Sequence, residues 1–532
     1  MGNWDLTIGD RYLQRTVHEA EDLFAQVLNE EPIGADPLPF KVYRGVRRYP
    51  LPGRLSWDLG DVRSTFADFA GAGAPNREET SPERVLSTLL YYGYGFSRWD
   101  VGPGAVWPHH RMVPSARCYF PTELYLWLPR SGDFPAGMYH YDTLHHAVAL
   151  IREGEFLAEL GELLGADLDE AGSVVLLSSL FWKNAFKYRG YSYRLCAQEA
   201  GMVVGNLLMV AGALGLWGDV HYQFPDRPAG RLLGLEPGEE HLFAALPLRP
   251  AGGSPLEGVA RVAGGRAGLE QLPPMRHTYV RPEGPSHAHD ELFTSIAENC
   301  LLDDGVDFAR ELPAASRCPH EVSSVLPAPP AREEPLGLGA ALRARNSGNV
   351  LFNPVARTLP LADFWEIVRY ATEPYTCDLR PGVAAPGVSL HVAVFDVAGL
   401  PPGIYRFCRE HGGLHVVSEG DFSRPLQGAL PVPNLNLCAS NMALYLAADY
   451  AETSRVFGNR AYRLINLEAG LVAQRLCVLS AAHGVSARVH NGYDSASVEA
   501  IVELDGAKLT PFFQIAVAHN RPGVQHGLPV IF

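Results

Sequence analysis

One stretch of this chain occurs twice, and that repetition limits its architecture more than any other feature. Residues 181 to 201 read FWKNAFKYRGYSYRLCAQEAG, and residues 450 to 470 read YAETSRVFGNRAYRLINLEAG. Tyr193-Arg194-Leu195 returns as Tyr462-Arg463-Leu464, Glu199-Ala200-Gly201 as Glu468-Ala469-Gly470, and His221 as His490, every pair 269 residues apart. A register kept over that distance predicts an internal duplication, two copies of one folding unit. Upstream, GMYHY (137 to 141) answers to GIYRF (403 to 407), and the helical pattern RVLSTLLYYGYG (84 to 95) answers to FWEIVRYATEP (364 to 374). The offset slips there by a few residues, as loop changes would produce.

Both copies read in the same order. An amphipathic helix is followed by an aromatic-rich strand (TELYLWL, 122 to 128; VSLHVAVF, 388 to 395), a Gly-Tyr turn and a further strand. A long Ala/Gly/Leu-rich helix comes next (199 to 216; 468 to 485), then a last strand, HLFAALPL or FFQIAVA. The long helices are apolar on nearly every side, which predicts a buried layer. The fold class read from this order is α+β. A chain of 532 residues, 47% apolar, has material for more than one core.

The expected domain map has four parts. Residues 1–35 form an N-terminal helical segment in which RYLQRTVHEAEDLFAQVLNEE reads as one amphipathic helix, and residues 36–250 form copy 1. Residues 251–335 are a Gly/Pro-rich linker with a short helix inside it, and residues 336–532 are copy 2 with an apolar C-terminal arm, QHGLPVIF. A net charge of -15 argues against a nucleic-acid partner and for a small molecule or a peptide. The chain shows no apolar run of spanning length and no signal-like start, and Leu6 stands where a myristoylation motif needs Ser or Thr, so a cytoplasmic protein without membrane contact is expected. The eight cysteines lack Cys-x-x-Cys or Cys/His metal spacing and read as reduced thiols, with no metal site.

The copies differ at one telling place: Lys187-Tyr188 in copy 1 becomes Val456-Phe457 in copy 2. Lysine is rare here, with only Lys41, Lys183, Lys187 and Lys508 among 44 basic residues. A Lys kept in such an Arg-rich chain suggests a need that Arg cannot meet, which is to lose a proton. To be neutral near pH 7 it must fall by about three units from about 10.4, and burial beside Trp182, Phe186 and Tyr191 is the expected cause.

With these residues in view, MVPSARCYFPTELYLWLP, then GMYHYD, then FWKNAFKYRGYSYRLCAQEAG resembles the nitroreductase-like, FMN-dependent azoline dehydrogenases of ribosomal peptide biosynthesis, the SagB-type enzymes. In copy 2, RARNSGNVLFNPVARTLPLADFWEIV is similar to the Arg-rich segment that opens nitroreductase domains and holds the FMN phosphate, although Asn346 and Asn349 replace arginines of that pattern. PFKVYRGVRRYPLP resembles the opening of members from thiopeptide pathways. The resemblance implies two tandem nitroreductase-like domains forming an intramolecular pseudo-dimer with FMN at the seam.

It also implies an unequal division of parts. Copy 1 keeps the Pro-Ser loop (Pro114, Ser115, Ala116, Arg117) for the flavin ring edge, together with Lys187 and Tyr188 as the catalytic pair. Copy 2 keeps Arg343, Arg345 and Ser347 for the phosphate, with Arg521 as an addition, and Asn491, Gly492 and Tyr493 on the other side of the ring. The reciprocal elements are worn: copy 2 has RPGVAAPGVSL in place of the Pro-Ser loop, and copy 1 lacks an Arg-x-Ser-x-Arg segment. One complete site and one dead site are expected.

The implied reaction converts thiazoline or oxazoline rings of a modified precursor peptide to thiazole or oxazole. A hydride passes to FMN, a proton passes to Lys187 or Tyr188, and molecular oxygen is the final acceptor. The implied partners are the azoline-containing peptide and a cyclodehydratase, with further oligomerisation open. Two alternatives stand beside this one: a nitro- or quinone-type flavin reductase, and a flavin-free peptide-binding scaffold. Around the site, Lys183 is expected either to depress the pKa of Lys187 or to meet solvent, and Glu199 and Glu468 to pair with Arg194 and Arg463. His221 and His490 read as scaffold, and His109, His110 and Arg111 as near the substrate.

Overall fold

The computed structural model describes residues 2–29, 31–32, 36–66, 81–102, 105–250, 269, 271–275, 277–280, 290–302, 311–312, 325–348, 352, 354–380, 382–432, 434–504, 508–520 and 526–530. Two seven-stranded antiparallel sheets carry the duplication. In space the first runs Arg48–Pro50, Ala147–Glu153, Gly137–Asp142, Thr122–Leu128, Ser173–Leu180, Glu240–Pro250, Leu216–Gly218. The second runs Val325–Pro327, Gly413–Glu419, Gly403–Cys408, Ser389–Val394, Met442–Ala448, Thr510–Ala518, Ser486–His490. Ranked by chain position, both follow the order 1-4-3-2-5-7-6.

The likeness extends to irregularities. Ladder register shifts between Met138 and Tyr139 in one sheet and between Ile404 and Tyr405 in the other, the matched positions of GMYHY and GIYRF. Each of these tyrosines donates its hydroxyl to a proline carbonyl four residues back, Pro135 or Pro401. A bulge bends a strand at the cost of one ladder bond, so its recurrence marks a shape that both copies need.

The core between the sheets is formed by two long helices, Ser192–Ala213 and Arg460–Ala482. They are long and apolar enough by composition to cross a membrane, yet 89% and 100% of their most apolar windows lie inside the protein. The repeated Ala-Gly explains how they meet. A Cβ on Gly201 would overlap the carbonyl of Leu467, and one on Gly470 the carbonyl of Gln198, so the helices cross backbone to backbone at these two positions. Amide pairs lock the crossing, Gln198 Nε2 donating to Asn466 Oδ1 and Gln474 Nε2 to Asn206 Oδ1, both at 2.9 Å.

One sequence expectation changes here. The N-terminal segment is not one helix: Leu6–Leu13 and Ala20–Asn29 are separated by a π-turn at Gln14–His18. The break lets this segment hold both copies, since Tyr12 Oη donates to Gly190 O at 2.6 Å and Thr16 Oγ1 lies 2.7 Å from the Tyr462 hydroxyl. Most of the stretch expected as linker falls outside the described residues; within it, Glu291–Asn299 is helical. At the other end His526–Pro529 pairs with Phe96–Val101, which pairs with His109–Arg111, so the tail of copy 2 closes on copy 1.

Candidate active site at the seam

The Pro-Ser loop leads from the strand His109–Arg111 into the strand Thr122–Leu128. Arg117, Cys118 and Phe120 all have left-handed φ, 50°, 55° and 50°. Side chains with a Cβ seldom adopt it, and three in one short loop are strain of the kind stored at ligand sites. Ser115 Oγ steadies the loop by accepting the Phe120 amide at 2.9 Å.

This loop forms one wall of a cavity of about 490 Å³ between the copies. Pro114, Ser115, Ala116, Arg117 and Tyr188 come to it from copy 1, and Arg345, Ser347, Asn491 and Gly492 from copy 2. Thus nine of the residues singled out in the sequence are brought together, from stretches far apart in the chain. Four are not. Arg343 turns away, donating to Tyr92 Oη at 2.7 Å with its guanidinium 3.6 Å over the Trp57 ring. Tyr493 is buried behind the cavity, donating to Pro511 O at 2.8 Å. Lys187 is half-buried on the last turn of the helix Trp182–Tyr188 and is not on the wall. Arg521 lies outside the described residues, as does Asn349.

The copy 2 wall is built for an anion. Arg345 is 6% exposed; its Nε donates to Met112 O at 2.9 Å and Nη2 to Arg111 O at 3.3 Å, while Nη1 is buried without a hydrogen-bond partner. Burial pulls its pKa down to about 10, so it still carries its charge at neutral pH. Arg488, which the sequence reading missed, stands beside it, with Nε on Ser347 O at 2.8 Å and Nη1 on Asn434 O at 3.2 Å. A positive field with an unsatisfied buried donor fits a phosphate group. Arg488 was legible in one way: the position 269 residues earlier is Asp219, a charge reversal between the copies.

On the copy 1 wall, burial pushes the Tyr188 phenol up to about 12, and the Arg117 guanidinium beside it pulls the other way. Tyr188 is followed by Arg189 at φ 46° and ψ −129°, a turn that Gly458 makes in copy 2 at φ 63° and ψ −147°. The non-glycine residue in this turn adds strain next to Tyr188. His110 also lines the cavity, 2.7 Å from Asp100, its pKa drawn down to about 4 by burial and the nearby Arg98. His490 is on the wall as well, held by Gln514 Oε1 at 3.1 Å.

Several charged neighbours correct the sequence expectations. Lys183 does not meet solvent: it is buried, its Nζ donating to Glu123 Oε1 at 2.7 Å and Phe120 O at 3.0 Å. Lys41 is buried too, 2.5 Å from Glu240. These two rare lysines are compact buried counterions. Glu199 and Glu468 do not pair with Arg194 and Arg463, because five residues along a helix is a rotation of about 140° and the side chains diverge. Arg194 donates to the carbonyls of Thr16 and Phe512, and Arg463 to Asp226 at 3.1 Å. Glu468 is held by Arg380 at 2.6 and 2.9 Å, and Glu199 lies on the cavity wall.

The second seam is filled from within. Tyr222 and Gln223 stand 269 residues before Asn491 and Gly492, and their backbone amides are taken by Asp378 at 3.0 and 2.9 Å. Arg380, Glu468 and Tyr375 form a hydrogen-bonded cluster beside them, and Asp219 pairs with Arg249 at 3.1 Å. The cavity that joins the Pro-Ser loop to Arg345, about 490 Å³, is within the usual range for a ligand pocket.

Known proteins resemble this chain in fold and, over part of its length, in sequence. A nitroreductase-assigned structure from Anabaena variabilis superposes with a TM-score of 0.70 at 18% identity, covering 97% of this chain and 99% of that one. The fold is nitroreductase-like, in two tandem domains. In sequence, a nitroreductase-assigned protein of Methanocaldococcus jannaschii is 26% identical over 98 residues, 18% of this chain and 49% of the relative. The microcin B17-processing protein McbC of Escherichia coli is 28% identical over 160 residues, 29% of this chain and 56% of the relative. The chain therefore spans about half the length of the curated relatives it matches. No family model matches it.

Proposed function

We propose that this protein is an FMN-dependent dehydrogenase that oxidises thiazoline or oxazoline rings in a modified precursor peptide to thiazole or oxazole. The observation that carries the reading is the seam cavity that joins the strained Pro-Ser loop and Tyr188 of copy 1 to Arg345, Ser347, Asn491 and Gly492 of copy 2. FMN fits it through Arg345, whose buried Nη1 suits a phosphate oxygen, with Arg488 adding positive charge. When bound, FMN supplies a hydride acceptor. The similarity to McbC, named for microcin B17 processing, supports a peptide substrate, and a cyclodehydratase partner belongs to the same proposal.

The chain's own task is to hold the ring and take a proton from the carbon beside the substrate carbonyl. Tyr188 is the member of the Lys187–Tyr188 pair on the cavity wall, and Arg117 next to it favours the phenolate that would accept the proton. Lys187, one residue back on the same helical turn, completes the pair. A second reading, a nitro- or quinone-type flavin reductase, draws on the methanogen relative. The test is to purify the protein, count FMN released per chain, and offer azoline-containing peptide under air. Loss of two mass units per ring, abolished by Lys187→Ala and Tyr188→Phe with flavin retained, is the expected result. Turnover of nitroarenes with nicotinamide and no change in the peptide would favour the reductase. A protein without flavin that holds the peptide would favour the scaffold.

A further inference from the structure

We propose that Glu199 is a ligand-contacting residue of this cavity, donating a hydrogen bond from Oε2 to the flavin ring; the proposal rests on the flavin reading above. Its twin shows what the fold does with this acid where the seam is filled: Glu468 is gripped by two Arg380 nitrogens, the Tyr375 phenol and the Gly387 amide. Glu199 has no such cation. Its Oε1 accepts from Tyr94 Oη at 2.9 Å and the Thr122 amide at 3.4 Å, while Oε2 has no hydrogen-bond partner, although the residue is 2% exposed and lies on the cavity wall.

Two donors reach Oε1 and none reaches Oε2, so a protonated carboxyl would present its O–H at Oε2. Burial raises the Glu199 pKa, opposed by Ser115, Tyr94 and Arg111. Arg111 is stacked on the Tyr94 and Phe120 rings at 4.5 and 4.8 Å, and Lys183 is committed to Glu123. The Cys118 and Cys196 thiols are pushed up to about 12 by burial and stay neutral. Flavin presents acceptor oxygens and nitrogens along its pyrimidine edge, and a neutral carboxyl complements them where a carboxylate would repel them. The matched residue is neutralised in copy 2 and left to the ligand in copy 1.

The experiment titrates FMN into flavin-stripped full-length protein from about pH 5 to about 9, upward from the ordinary carboxyl range, following flavin fluorescence, for wild type, Glu199→Gln and Glu199→Ala. Glu199→Gln keeps an N–H donor and is the reference for every other titrating group. Wild-type affinity should fall about tenfold relative to Glu199→Gln across that range, and Glu199→Ala should bind about tenfold more weakly than Glu199→Gln throughout. Parallel profiles for wild type and Glu199→Gln would overturn the proposal even if Glu199→Ala fails to fold, as judged by circular dichroism. Equal affinity of all three proteins would overturn it while leaving the flavin reading in place. No FMN binding by wild type at any pH would overturn both.

Discussion

At the scale of single residues, the cavity turns on a few side chains whose surroundings set their chemistry. Because burial holds the Tyr188 phenol near 12, the fraction present as phenolate rises about tenfold per pH unit below that value. If Tyr188 takes the proton, single-turnover oxidation should accelerate with pH up to the alkaline limit of the protein, and Tyr188→Phe should flatten the profile. A plateau near neutrality in wild type would move the role to Lys187. Arg345 and Arg343 make a sharper contrast, since only the first reaches the cavity. Arg345→Gln should weaken FMN binding about 10- to 100-fold, the worth of a charge-assisted hydrogen bond, while Arg343→Gln should leave it within about threefold, both read by fluorescence titration. Arg345 was legible in the sequence as an Arg-x-Ser neighbour; that Arg343 points the other way was not, because the helix Leu338–Ala344 ends between them and the chain turns. Arg189→Gly should raise thermal stability by about 1 kcal/mol, measured by calorimetry, by relieving a backbone turn that copy 2 gives to glycine.

At the scale of elements, the repeated Ala-Gly of the two long helices decides how the copies join. Gly201→Ala or Gly470→Ala would push backbone from backbone at the crossing. Each should cost about 1–3 kcal/mol and lower flavin content, since the cavity walls come from opposite sides of that crossing. A lower melting temperature with unchanged flavin content would show that the seam tolerates the shift. That both copies would carry the same elements in the same order could be anticipated from the repeat, because periodicity and turn residues are local signals, whereas the spatial strand order and the Gly-Tyr bulges depend on pairing between distant segments. The π-turn at Gln14–His18 could not: RYLQRTVHEAEDLFAQVLNEE keeps a helical pattern throughout, and the break follows from contacts with Gly190 and Tyr462, distant in sequence.

At the scale of the whole molecule, duplication produced two seams and closed one. One FMN per chain is the expected stoichiometry, checked by released flavin against protein mass. Arg380→Ala leaves Glu468 buried without its cation, which should destabilise the protein by about 3–5 kcal/mol and still not create a second flavin site, because Asp378 keeps the Tyr222 and Gln223 amides. By itself the sequence determined that there are two like units, that they are α+β, and that the chemistry-bearing residues are divided between them, since a repeat and its departures can be read residue by residue. Only the tertiary structure decided which of those residues share a cavity. The Glu199–Arg194 and Glu468–Arg463 spacings promised pairs that helix rotation separates, and Arg488 and Glu199 reach the cavity wall across the seam. A side chain's direction and its partner in a buried site are set by packing between distant segments, which spacing along one chain does not encode.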